Sequence, residues 1–121
     1  MNFRPELAKA VMAGDKTVTR RIVSPNPRSP WYEGGCKLVV GREYAVCPGR
    51  GKHAIGHVEI VEVTREKAFV PVMILTHEAK AEGFVGVGEF VSVWAALHGD
   101  ISGVYDVWRI RFVIAQRSAV I

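Results

Sequence analysis

The sequence predicts a small α+β protein, a β-barrel carrying two or three short helices. Three observations carry that expectation. Short runs rich in β-branched and aromatic residues recur along the chain, broken by glycine, proline and charged turns. Helical spacing of apolar residues is confined to a few places. The chain of 121 residues is 49% hydrophobic and 23% charged, the composition of one globular domain over residues 1–121 and not of a disordered chain. Many short strands with few helices close most readily as a small barrel of mixed class.

Pro5 stands where a first helical residue should and Gly14 where a helix stops. Between them Leu7, Ala10 and Val11 keep helical spacing, so residues 5–13 read as a helix. After the Gly14-Asp15 turn, residues 17–23 are β-branched enough to read as a strand. Residues 24–30 hold three prolines in seven positions and form a loop. Short strands are expected at 37–40, 43–47 and 54–63, the last two joined by a loop over 48–52. Thr76 is placed to cap a helix over 77–82, which Gly83 ends. A further helix over 89–98 sets Phe90, Trp94 and Leu97 on one face, and Gly99 closes it. Residues 104–114 form a long strand with Trp108, Ile110, Phe112 and Ile114 on one side. No internal repeat or low-complexity segment interrupts this order.

The net charge of +4 is uneven: residues 1–60 carry ten Lys/Arg against five acids, residues 61–121 six against seven. Between Lys16 and Lys52 eight basic residues meet two acids, Glu33 and Glu43. Such a stretch is either a solvated basic face or a surface for phosphate-bearing partners: RNA, nucleotides or nucleosides. No apolar stretch approaches the roughly 20 residues that span a bilayer, and residues 1–10 lack the apolar core of a secretory signal. A cytoplasmic protein with no membrane attachment is therefore expected. The cysteines, Cys36 and Cys47, make no disulfide framework. With His53 and His57 they stand 11, 6 and 4 residues apart, which matches no zinc knuckle. Neither a metal nor another cofactor is expected, and no feature marks a protein partner.

The segment from Gly14 to Arg21 is the richest in chemistry. Lys16 sits at a helix-to-strand turn, and Thr17, Thr19 and Arg21 project from one strand face. An ammonium, a hydroxyl and a guanidinium can so converge on one patch. That set suits an anionic or polar planar ligand, or a threonine nucleophile assisted by lysine. An ordinary threonine-rich exposed strand has the same spacing. Trp31 and Tyr32, beside Pro30 in a loop, are candidates for stacking on a base, whereas Trp94 and Trp108 on apolar faces belong to the core. His77 and Glu78 begin a helix and read as surface. The 48–52 loop has the composition of a phosphate cradle without P-loop spacing, which makes Arg50 and Lys52 candidate contacts to nucleic-acid phosphate.

Gly14, Lys16, Thr19 and Arg21 fit the pattern G-x-K-x-x-(E/T)-x-R, and on these residues the chain resembles the ASCH domain family, small barrels of the PUA-like superfamily. The resemblance continues through Phe3 to Leu7, Glu78 to Phe84 and Val107 to Phe112, in the family's order. It implies a PUA-like barrel and a place in RNA and nucleotide transactions. In motif the chain is most similar to the small amidohydrolases that remove the acetyl group from N(4)-acetylcytidine with a lysine, a threonine and a glutamate. The resemblance puts these on Lys16, Thr19 and Glu82, with Arg21, Thr17 and Arg20 at the substrate. The stretch 24–40 is longer than the matching link in those compact enzymes, as in phage-type ASCH proteins, and the 48–52 loop is more basic. The rival readings are a module that binds RNA or a modified base without catalysis, and a single-strand ribonuclease working through the same basic cleft.

The implied chemistry sets a condition. Amide hydrolysis needs a nucleophile, a base to activate it and an acid for the leaving amine. An ordinary lysine, with a pKa of about 10.4, is protonated at neutral pH. Burial beside Arg21 would lower that value, and an ion pair with Glu82 would oppose the change.

Overall fold

In the computed structural model, which describes residues 1–115, helix α1 (Pro5–Ala13) begins on its proline and ends at Gly14. The φ of Gly14 is 81°, a left-handed conformation that a glycine adopts at least cost, and its N–H donates back to the last turn. Strand β1 (Val18–Ile22) follows, then β2 (Glu43–Val46) and β3 (Gly56–Phe69). A 3-10 turn at Pro71–Met73 leads into α2 (Thr76–Ala81), α3 (Val87–His98) and β4 (Tyr105–Ile114). The sheet is antiparallel in the order β1-β4-β3-β2. Its two edges, β1 and β2, are linked by the N-terminal residues. Phe3 N–H donates to Cys47 O and Cys47 N–H to Met1 O just beyond β2, while Arg21 Nη2 on β1 donates to Asn2 O. This is the small α+β architecture expected from the sequence.

Alternation along β4 divides the apolar residues between two clusters. Ile110 and Phe112 join Val58 and Ile60 of β3, Val46 of β2, Ala8 and Val11 of α1, and Phe3. Val107 points the other way and packs with Phe69, Ile74, Ala79, Phe90 and Trp94 beneath α2 and α3. Each fully buried Val, Ile or Phe contributes roughly 1.5–3 kcal/mol from its removal from water. Among the described residues, no helix is long and apolar enough to cross a membrane.

Several boundaries differ from the sequence expectation. Residues 37–40 are not a strand: Lys37 N–H turns back to Pro30 O, Val39 N–H donates to the Tyr44 hydroxyl, and Val39 and Val40 stay exposed. β3 starts at Gly56 and runs on to Phe69 through a charged segment, because β4 is long enough to pair with it across two register shifts. Thr76 lies inside α2, with Leu75 at the cap position and no side-chain cap. Leu97, expected on the buried face of α3, is 61% exposed on the last turn, and Ile114 is exposed at the end of β4.

Candidate functional site

Lys16 anchors the site. The turn after α1 folds its backbone back onto Ala10 O, and its side chain is 2% exposed. Nζ donates to Val18 O at 2.8 Å, to Glu82 O at 2.7 Å and to Glu82 Oε1 at 3.4 Å. Three acceptors match the three protons of an ammonium. Burial nevertheless pulls the Lys16 pKa down to about 8: Glu82 raises it, Arg21 and Arg20 lower it further, and loss of water is the largest effect. The ion pair therefore opposes the shift and loses.

Glu82, at the C-cap of α2, is held at both oxygens, Oε1 by Lys16 and Oε2 by Arg20 Nη1 at 2.8 Å. Arg20 also donates through Nε to Glu66 at 2.8 Å and through Nη2 to Glu78 at 3.1 Å. Arg20 and Arg109 face each other directly across the β1–β4 pair, a repulsive arrangement by itself. Glu78 resolves it, since its Oε2 serves Arg20 and its Oε1 serves Arg109 Nη2 at 2.9 Å, while Glu62 takes Arg109 Nη1 at 2.8 Å. Glu78 is thus not the surface residue that its place at a helix start implied; its side chain is 19% exposed. Burial works against the Arg20 charge, but the hydrogen bonds to Glu66 and Glu82 outweigh it and hold Arg20 above the usual arginine range.

Thr19 and Arg21 project to the other side of β1 from Arg20. β1 is an edge strand, and residues from both of its faces line a cleft of about 380 Å³. Lys16, Thr19, Arg20, Arg21 and Glu82 form the polar wall; Phe84, Phe90, Val93, Trp94 and Leu97 form the apolar one. Thr19 is 5% exposed. The Arg21 guanidinium lies over the rings of Phe3 and Trp31, with 5.2 and 5.4 Å to their centroids.

No protein-family model and no curated protein matches the chain. Solved structures do. A point mutant of the ASCH protein from Zymomonas mobilis superposes with a TM-score of 0.59 at 19% identity, over 96% of this chain and 68% of that one. The ASCH domain from Lactobacillus crispatus gives 0.57 at 16% identity, over 89% and 69%. A protein of the DUF984 family from Enterococcus faecalis gives 0.55 at 16%, over 90% and 69%. The chain has the ASCH fold.

Within this ASCH fold, five of the residues singled out from sequence, Lys16, Thr19, Arg20, Arg21 and Glu82, line one cleft. Thr17 does not. It lies outside β1, its N–H bonds Ala81 O, and it lines a smaller depression with Val11, Gly14 and Phe112. Arg50 and Lys52 are exposed in the connection between β2 and β3 and are not part of the cleft lining. Trp31, expected as a base-stacking surface, carries the protein's own Arg21, and its carbonyl and that of Tyr32 accept from Trp108 Nε1. Trp94 is a core residue that also forms cleft wall. Cys36 and Cys47 are free, and among the described residues no three His, Cys, Asp or Glu stand together as a metal site. Sequence reasoning missed Glu66, Glu78 and Arg109. One signal was present: Glu78 and Glu82 are four apart, which stacks them on one side of a helix facing a strand that carries an arginine.

Proposed function

We propose that this chain is an amidohydrolase that removes the acyl group from N(4)-acetylcytidine or a similar N4-acylated pyrimidine nucleoside. One observation carries the reading: a buried lysine with a pKa of about 8 shares a cleft with a buried threonine and a buried glutamate. A lysine in that range supplies a neutral base near physiological pH, which an ordinary lysine does not. The cleft volume is within the range of small-molecule sites, and its aromatic wall suits a flat base.

In this mechanism neutral Lys16 takes the Thr19 hydroxyl proton as the oxygen attacks the acyl carbon. The resulting ammonium returns that proton to N4 as the carbon–nitrogen bond breaks, which releases cytidine and leaves acyl-threonine. Water then adds to the ester with Lys16 again as base, and the carboxylic acid departs with Thr19 restored. Glu82 orients Lys16 and meets the amino edge of the base. Arg20, already bonded to three carboxylates, acts as a positioning residue for Glu82 and not on the substrate. Thr17 has no part, and Arg21 remains at the substrate.

Incubating the protein with N(4)-acetylcytidine and following the ultraviolet change to cytidine tests the reading. Conversion that disappears in Lys16→Ala and Thr19→Ala supports it; substrate left intact by the wild type overturns it. A binding module without catalysis is the second reading, favoured by the three acceptors around Lys16 Nζ, which suit the ammonium form. Binding of cytidine or RNA in the cleft without turnover would put that reading first.

A further inference from the structure

Among the described residues, Arg20, Arg109 and Arg65 are each matched to carboxylates, and Arg21 is not. Arg20 has three, Arg109 has Glu62 and Glu78, and Arg65 has Asp106. Arg21 makes no ion pair among the described residues. Its Nη2 donates to a neutral acceptor, Asn2 O, at 2.8 Å, and its Nε is buried without an acceptor. Two aromatic rings, Phe3 and Trp31, hold the guanidinium plane in place. Burial pulls its pKa below the usual arginine range, opposed only by the charge of Glu82.

The cleft around Arg21 offers no other compensation. Among the described residues Glu82 is the one acid in its lining, and both of its oxygens are engaged by Lys16 and Arg20. Arg4, at the same cleft, is paired with Glu6 at 2.9 Å. A half-buried cation that is fixed in place and lacks a carboxylate partner is stabilised when a ligand brings the missing negative charge. We infer that the cleft takes an anionic ligand whose phosphate pairs with Arg21, so that a nucleoside monophosphate is preferred over the free nucleoside. The inference rests on the nucleoside reading of the cleft and adds a phosphate subsite to it. Guanidinium and phosphate match in geometry, with two parallel N–H···O contacts, which a lysine at this position does not provide.

Calorimetric titration of the full chain with cytidine, cytidine 5′-monophosphate and cytidine 3′-monophosphate tests the subsite without requiring turnover. One monophosphate is expected to bind at least ~10-fold more tightly than cytidine, with an advantage that shrinks as salt is raised. Which of the two gains tells whether the phosphate lies on the 5′ or the 3′ side of the sugar. In Arg21→Gln the ratio of monophosphate to cytidine affinity is expected to fall to about one, and in Arg21→Lys to an intermediate value. The wild-type comparison stands even if a variant fails to fold. Equal binding of all three ligands overturns the phosphate subsite and leaves the nucleoside reading in place. An advantage that persists in a folded Arg21→Gln also overturns it. Absence of binding by all three removes the nucleoside reading and this inference together.

Discussion

At Lys16 two consequences of burial compete, and their balance sets the chemistry. Loss of water lowers the pKa, the adjacent Glu82 carboxylate raises it, and the outcome is about 8. If neutral Lys16 is the base, roughly a tenth of the protein is active at pH 7. The kcat/KM for N(4)-acetylcytidine is then expected to climb about tenfold from pH 7 to a plateau above pH 9, with a midpoint near 8. Lys16→Arg should be inactive at every pH, since arginine does not give up its proton. Thr19→Ala and Lys16→Ala should each nearly abolish turnover, and the double variant should lose little more, because groups that act as one unit are not additive. Activity retained in Thr19→Ala would make a lysine-activated water the nucleophile. The sequence placed Lys16, Thr19 and Arg21 through a local motif, and the structure brings them to one cleft. Of the groups that hold Lys16 Nζ, the sequence pointed to the Glu82 carboxylate alone. Two of the three acceptors are backbone carbonyls, of Val18 and Glu82, and the second arrives only when α2 docks.

Helix α2 is the element on which the site depends, although it has only six residues. Gly83 follows its cap with φ 96°, and a Cβ there would stand 3.1 Å from Lys16 Cβ and 3.4 Å from Leu7 Cδ2. Gly83→Ala therefore meets backbone strain and contact at once. A loss of about 1–3 kcal/mol in denaturant unfolding is expected, together with reduced turnover because the displaced neighbour is Lys16. Glu78 ties the same helix to β1 and β4. Burial opposes its ionisation, but hydrogen bonds from Arg109 and Arg20 prevail and hold its pKa below the ordinary 4.5. A depressed carboxylate contributes stability that is present above pH 4.5 and lost as pH falls through the folded value. Glu78→Gln should therefore destabilise the protein at pH 7, by roughly 1–3 kcal/mol, and flatten the loss of stability on acidification. A melting series from pH 7 to 3 reads both effects. Elements with chemical punctuation were legible: Pro5 and Gly14 bound α1, and Gly99 follows α3. The strand expected at 37–40 failed because two valines do not make a strand without a partner to pair with. β3 outran its expected end at residue 63 because the charged residues Arg65 and Glu66 carry no local strand pattern, and it is pairing with Trp108 and Val107 of β4 that makes them strand.

At the scale of the molecule, short strands and scattered helices were enough to predict a small α+β barrel, but the order β1-β4-β3-β2 was not readable. β1 pairs with β4, and no local pattern announces a partner some ninety residues away. The same long-range pairing sets Arg20 against Arg109 and so creates the need for Glu78. Charge, by contrast, was legible as an amount and not as a place. The basic surplus of residues 1–60 divides in the fold: Lys16, Arg20 and Arg21 line the cleft, whereas Arg50 and Lys52 stand exposed between β2 and β3. That division separates two kinds of binding. A nucleoside-sized ligand meets the cleft alone, while a strand of RNA long enough to leave it would meet exposed cations through its phosphates. If Arg50 and Lys52 are such contacts, changing both to alanine should weaken RNA binding and lower the slope of log affinity against log salt by about 1.4, the single-strand value for two phosphate contacts. Turnover of free N(4)-acetylcytidine, followed in the same variant, reports on the cleft independently. Unchanged RNA affinity and slope would make the two residues a solvated face. A fall in nucleoside turnover as well would mean that the connection between β2 and β3 reaches the cleft. A flattened slope with turnover intact would assign the exposed cations to strand binding and the buried ones to chemistry.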